Sequence, residues 1–115
     1  MKVLILAAAA LAVVIGSAHA ESGIASLYST RELGTRTASG SQLSDGALTA
    51  AHKTLPFGSR VRVTNHANRQ SIVVTITDRG PFVRGRVIDL TTAGARALGF
   101  SGLARVTVER IDNPS

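Results

Sequence analysis

The chain has 115 residues, with 13 Lys and Arg against 7 Asp and Glu, a formal net charge of +6, no cysteine and no tryptophan. The lack of cysteine excludes disulfides and thiolate metal sites. Its only aromatic residues are Tyr28, Phe57, Phe82 and Phe100, so any core must be aliphatic.

The first twenty residues have the pattern of an export signal. Lys2 supplies a positive start, Val3 to Ile15 carries no charge, and Ala18-His19-Ala20 fits the small-x-small pattern of a signal-peptidase site. An apolar run of about 13 residues is short for a bilayer. A cleaved signal over residues 1–20 is therefore expected over a retained anchor, and no cysteine follows that would accept a lipid. Removing 20 of the 115 residues leaves 95, one domain over 21–115 with a small core. Of the 12 cationic side chains left after Lys2, eleven are arginines, which suit bidentate contact with carboxylates and phosphates. For an exported chain, periplasmic or secreted, the acidic counterpart is cell wall and not nucleic acid. Solubility is the plainer account of the same charge.

Gly23 to Tyr28 reads as a first strand, followed by a Gly-, Ser- and Thr-rich loop from Ser29 to Asp45. Val61 and Val63 alternate with Arg60, Arg62 and Thr64, which describes a half-buried strand. Asn65 to Gln70 turns into Ser71 to Thr77, where Ile72, Val74 and Ile76 share a face, and Arg79-Gly80-Pro81 breaks that strand. Arg86 to Leu90 is a further strand. Thr91 to Leu98 is the one clear helix, with Thr91 as N-cap and Gly99 placed for a left-handed C-terminal residue. Ala104, Val106 and Val108 alternate in a last strand, and Asp112 to Ser115 is a polar tail. Many short strands with one short helix favour a small closed β-barrel, since closure removes exposed edges.

No serine lies in a Gly-x-Ser-x-Gly elbow. After export only His52 and His66 remain, without helical metal-ligand spacing, so no metal is expected. Asp78 falls in phase with Ile72, Val74 and Ile76. A carboxyl at the end of an apolar face loses solvation, the condition a general acid needs. Arg79 beside it opposes this, and Asp-Arg-Gly-Pro also reads as a turn ordered by the aspartate. Asp89 shares a face with Val87 just ahead of the helix. It reads either as an anion or base held by the helix end or as a structural group at the strand–helix junction.

Five segments occur in order: Thr37-Ala38-Ser39-Gly40, Ala47-Leu48-Thr49-Ala50-Ala51-His52 with Thr54-Leu55-Pro56-Phe57-Gly58, Val61-Arg62-Val63-Thr64-Asn65, Thr77-Asp78-Arg79-Gly80-Pro81-Phe82, and Arg86-Val87-Ile88-Asp89-Leu90. Together they resemble the RlpA-like (rare lipoprotein A) lytic transglycosylase family, over about Gly23 to Glu109. The resemblance implies a six-stranded double-psi β-barrel with one or two short helices. It also implies cleavage of peptidoglycan glycan strands between N-acetylmuramic acid and N-acetylglucosamine, closing a 1,6-anhydro ring with no cofactor. By position it assigns catalytic roles to Asp78, Asp89 and His52, with the proton donor open between the two aspartates. His52 would orient a carboxylate or share its proton. Residue chemistry adds Arg36, Arg62, Thr64, Asn65, Arg79 and Arg84 as candidate glycan-binding groups, and the chain is expected to act as a monomer. Many family members carry Glu after Thr-Ala-Ser-Gly and Asp or Asn three residues later. Here those positions hold Ser41 and Ser44, with Asp45 one place off. The competing readings are a non-catalytic, expansin-like wall-binding module and a secreted inhibitor or signalling protein on the same fold. N-terminal sequencing of the exported protein should return Glu21 as the first residue; recovery of residues 1–20 would overturn the signal assignment.

Overall fold

The computed structural model describes residues 20–28 and 36–111. The expected signal up to residue 19, the loop stretch 29–35 and the tail 112–115 lie outside the described residues. Six strands and one helix follow in order: β1 Ala20–Leu27, β2 Thr49–Ala51, β3 Arg60–Asn65, β4 Ser71–Asp78, β5 Arg86–Leu90, α1 Thr92–Leu98 and β6 Ala104–Arg110. The strands close into a barrel in the order β1-β5-β2-β4-β3-β6. Two neighbouring pairs, β1–β5 and β2–β4, run parallel, and the other four run antiparallel. Closure into six strands with one short helix agrees with the barrel expected from the strand pattern.

Alternation builds the wall. In β3 the valines Val61 and Val63 point inward while Arg60 and Arg62 face solvent. In β6 Val106 and Val108 do the same between Arg105 and Thr107. Ile76, Ile88, Leu90 and Leu98 complete an aliphatic core with no aromatic ring among its fully buried members. β2 was not among the expected strands. It is three residues long and lies between β4 and β5, with Ala50 and Ala51 both buried on opposite sides, so no polar–apolar alternation betrays it.

Helix α1 begins and ends as its sequence suggests. The Thr91 hydroxyl accepts from the Gly94 N–H at 3.1 Å and donates to the Ala47 carbonyl at 2.6 Å, tying the helix start to the chain entering β2. Gly99 adopts φ 80°, and the N–H groups of Gly99 and Phe100 close on the carbonyls of Arg96 and Ala95. Asn65 and Asn68 both donate to the Leu98 carbonyl at 2.9 Å, so the β3–β4 turn satisfies the helix end. Replacing Ile88 by alanine should cost about 2–5 kcal/mol. The expected readout is a lower urea midpoint at unchanged slope.

Candidate active site

The parallel pairing of β2 with β4 is not regular. Ala50 opposes Ile76, but Ala51 opposes Asp78, so Thr77 is an extra residue. Opposed residues point to the same side of a sheet, and an inserted residue reverses the phase beyond it. Ile76 faces the core, whereas Ala51 packs outside the barrel with Tyr28 and Leu43. Asp78 therefore leaves the apolar phase of Ile72, Val74 and Ile76 that strand periodicity assigned to it, and faces the outer surface. It is half-buried there. The backbone N–H groups of Ala38 and Arg79 both donate to Oδ1 at 2.9 Å.

Asp89 meets Asp78 on this outer face. In β5 it alternates with the fully buried Ile88 and Leu90 and is paired with Ser26 of β1. The Ser26 hydroxyl donates to Asp89 Oδ1. Two residues on, Tyr28 lies on the same side, only 2 % exposed, with its backbone N–H bonded to the Leu90 carbonyl at 2.9 Å. Its phenol stands among Asp78, Asp89, Thr77 and Thr49. Burial pushes the Tyr28 pKa up to about 12. The charges of Asp78 and then Asp89 add to the rise, and the Thr77 and Thr49 hydroxyls offset part of it. Neither the Tyr28 hydroxyl nor Thr77 Oγ1 closes a hydrogen bond of regular geometry, although the two face each other. Buried hydroxyls in that state stand ready for an incoming donor or acceptor.

The rim is formed by residues 36–44. Ser39 N–H reaches the Thr77 carbonyl at 3.2 Å, which seats this loop on the end of β4. Thr37, Ser39 and Ser41 form a triangle of hydroxyls with edges of 2.8–3.0 Å. Arg36 closes the same loop by donating to the Gly40 carbonyl at 2.8 Å. On the other flank, His52 is buried at 6 % exposure; its Nε2 meets Glu21 Oε1 at 2.5 Å and its Nδ1 accepts from the N–H groups of Thr54 and Leu55. The carboxylate it holds is thus Glu21, not Asp78 or Asp89. Arg79 donates to the carbonyls of His52 and Leu55, and its guanidinium lies 4.1 Å from the Phe57 ring centroid.

The remaining candidates lie elsewhere. Arg62 and Thr64 project from β3, beside β4, where they oppose Val73 and Ser71 towards the start of that strand and not its Asp78 end, and Arg62 pairs with Glu109. Asn65 is buried and spends both ends of its amide on the β3–β4 turn and the helix end. Arg84 is exposed in the loop before β5. An apolar cavity of about 310 Å³, lined by Leu27, Ala95, Arg96 and Phe100 among others, opens on the side of β1 away from Tyr28 and contains no carboxylate. Among the described residues, no group of three His, Asp or Glu is placed to hold a metal ion, and no helix is long and apolar enough to cross a membrane.

Residues 20–109 match the model of a protein family described as lytic transglycolase. The chain belongs to that family. A probable endolytic peptidoglycan transglycosylase RlpA from Synechocystis is 56 % identical over 89 residues, covering 76 % of this chain and 28 % of the relative. The endolytic peptidoglycan transglycosylase RlpA of Pasteurella multocida is 50 % identical over 97 residues, covering 83 % and 33 %. The chain thus spans about a third or less of these relatives' length. In fold it is similar to an expansin from Clavibacter michiganensis, at TM-score 0.64 and 19 % identity over 84 % of this chain and 52 % of that one. A Streptomyces papain inhibitor superposes at TM-score 0.63 and 19 % identity, covering 83 % and 96 %. The family's double-psi barrel brings Asp78 and Asp89 to one face around a phenol.

Three residues at this candidate site are not among those the sequence alone points to: Ser26, Tyr28 and Glu21. A signal for the first two was present. Ser26 and Tyr28 alternate with Ala25 and Leu27 at period 2, which sets a hydroxyl near the end of β1 and a phenol just past it on one side of the chain. Glu21 carried none, because its partner is 31 residues away.

Tyr28 is the only tyrosine, so tyrosinate absorbance reports it alone. Its titration should centre near 12 in the folded protein and near the ordinary value of about 10 in denaturant. The unfolded chain gives up this proton first. The stability contributed by the neutral phenol is therefore whole below about pH 10 and is lost as pH rises towards 12. Asp78→Asn should lower the folded midpoint more than Asp89→Asn; a midpoint indifferent to both would contradict the clustering.

Proposed function

We propose that the chain is an exported, periplasmic or secreted, endolytic peptidoglycan lytic transglycosylase that cuts between N-acetylmuramic acid and N-acetylglucosamine. The observation that carries this reading is the convergence of Asp78 and Asp89 on one outer face around the buried Tyr28 phenol. A site on the outer face of a closed barrel is open to a polymer from its side, as endolytic cleavage requires. The names of the RlpA relatives support the substrate class.

In this reading Asp78 is the general acid. Two backbone amides fix its Oδ1, and Oδ2 carries the proton delivered to the glycosidic oxygen as the C1–O bond breaks. The muramic acid 6-hydroxyl attacks C1 and closes the 1,6-anhydro ring, and its proton passes to a carboxylate, so no water is consumed. An intramolecular nucleophile needs no second carboxylate to activate water, unlike the hydrolytic pair. Asp89, bonded to Ser26, is the fixed charge that steadies the positive character developing at C1. Arg36, on the 36–44 rim, is the candidate cation that would meet glycan carboxylates.

A second reading, an expansin-like module that binds wall polysaccharide without cutting it, has one observation in its favour. The rim triangle Thr37, Ser39 and Ser41 offers hydroxyls where the family resemblance leads one to expect a carboxylate at position 41. The two readings separate in a digest of intact and peptide-stripped peptidoglycan followed by mass spectrometry. The wild type should release anhydro-terminated fragments, and Asp78→Asn should lose about a hundredfold or more in turnover. Ser41→Glu should raise turnover, because a carboxylate near Asp78 favours its protonated form. A protein that retains the polymer and releases no anhydro ends would sink the enzyme reading and leave the binding module.

A further inference from the structure

The histidine on the flank of this site has no ring nitrogen to offer a substrate. His52 Nδ1 accepts two backbone N–H groups, from Thr54 and Leu55, each at 3.1 Å. A ring nitrogen that accepts in the ring plane does not also carry a hydrogen, so the hydrogen sits on Nε2 and is donated to Glu21 Oε1 at 2.5 Å. The ring is buried, and both of its polar atoms are engaged within the protein.

What the ring does is shape a turn. The two amides that converge on Nδ1 fold residues 52–55 around it, and that turn grips the end of β4 at several points. His52 N–H donates to the Asp78 carbonyl at 3.1 Å. Arg79 Nη1 returns two hydrogen bonds, to the His52 carbonyl at 3.1 Å and the Leu55 carbonyl at 2.9 Å. The same guanidinium lies over the Phe57 ring, which stops it from swinging away. Asp78 leaves the core phase only because of the irregular pairing at Thr77. Its carboxyl thus depends on backbone held from outside the regular ladder.

We propose that Glu21 and His52 are a positioning pair. Glu21 fixes the ring, the ring folds the 52–55 turn, and the turn clamps the Asp78–Arg79 peptide so that the Asp78 carboxyl is held at the glycan. The ring does not exchange a proton with substrate. The catalytic consequence rests on the transglycosylase reading, while the clamp itself can be read without turnover.

The test uses four variants of the purified protein: Glu21→Gln, Glu21→Ala, His52→Asn and His52→Leu. Asparagine cannot titrate, but its carbonyl can accept the two amides of the turn as an Asx-type cap. His52→Asn should therefore keep kcat within about threefold of wild type, with the pH profile unmoved. His52→Leu and Glu21→Ala should lose about ten- to a hundredfold in kcat with little change in KM, the scale expected for a misplaced reacting group. Glu21→Gln, which keeps an acceptor, should fall between. A His52→Asn protein as inactive as His52→Leu, with the amide resonances of Thr54, Leu55 and Arg79 unchanged from wild type, would show that the ring proton matters and overturn the proposal.

Nitrogen NMR provides the independent readout. Wild type should show His52 with its hydrogen on Nε2, and Glu21→Ala should move the amide resonances of Thr54, Leu55 and Arg79. Those shifts support the clamp even if the wild type releases no anhydro sugar, in which case only the transglycosylase reading has failed. Unmoved amides in Glu21→Ala, or hydrogen found on Nδ1, overturn the clamp whatever the activity.

Discussion

A single extra residue in β4 decides where this protein places its chemistry. Without Thr77 as an insertion against β2, Asp78 would follow Ile72, Val74 and Ile76 into an aliphatic interior that contains nothing to solvate it. A carboxyl in such a core would neutralise or unfold the barrel. With the insertion, Asp78 turns to the outer face, opposite Ala51, where two backbone amides meet it. The irregularity sits beside the site because re-aiming a side chain is what a bulge achieves that regular pleating cannot.

The outer face is consequently a mixed environment. Leu43, Ala51 and the Tyr28 ring form a small apolar layer outside the barrel, separate from the main core. Carboxylates laid on such a layer lose part of their hydration without being enclosed. The phenol records the result, with its pKa pushed up to about 12 by burial first and by the two carboxylates second. A neutral hydroxyl held between two acidic groups gives the cleft a donor that does not compete as a charge.

Much of the architecture was legible in the sequence, for a local reason. β3, β4 and β6 alternate valine and isoleucine with arginine and threonine, and α1 carries its own cap at Thr91 and stop at Gly99. Both signals reside within a few residues of the element they specify. β2 was not legible, because a strand of three small residues buried on both sides has no period to detect. The direction of Asp78 was misjudged for a related reason: a bulge is defined by the partner strand, and Thr77 looks like any other strand residue until β2 is laid against it. Arg62 and Thr64 suit glycan contact by their chemistry alone, whereas the antiparallel register sets them against Val73 and Ser71, several residues from the Asp78 end of β4. The link from Glu21 to His52 likewise exists only after β1 has found its place in the barrel.

These observations separate two kinds of histidine and arginine that motif reading merges. His52 and Arg79 stand beside the site in sequence and in space, yet the hydrogen bonds they make run to backbone groups of the protein and to the Glu21 carboxylate. Removing either would disturb the site by releasing the end of β4, which a simple loss-of-activity experiment scores as catalytic. The groups that gather on the outer face are instead Asp78, Asp89, Ser26 and Tyr28; Ser26 and Asp89 come from β1 and β5, one of the two parallel pairs of the barrel, and Tyr28 directly follows β1. Parallel strands present their residues in step along one direction, so Ser26 and Asp89 lie side by side while Tyr28, one pleat further, comes within reach of Asp78 across β2. The site is thus a property of strand order. Any change that shifts β1 against β5 by one residue would turn Ser26 and Tyr28 into the core and dismantle the cleft without touching either aspartate.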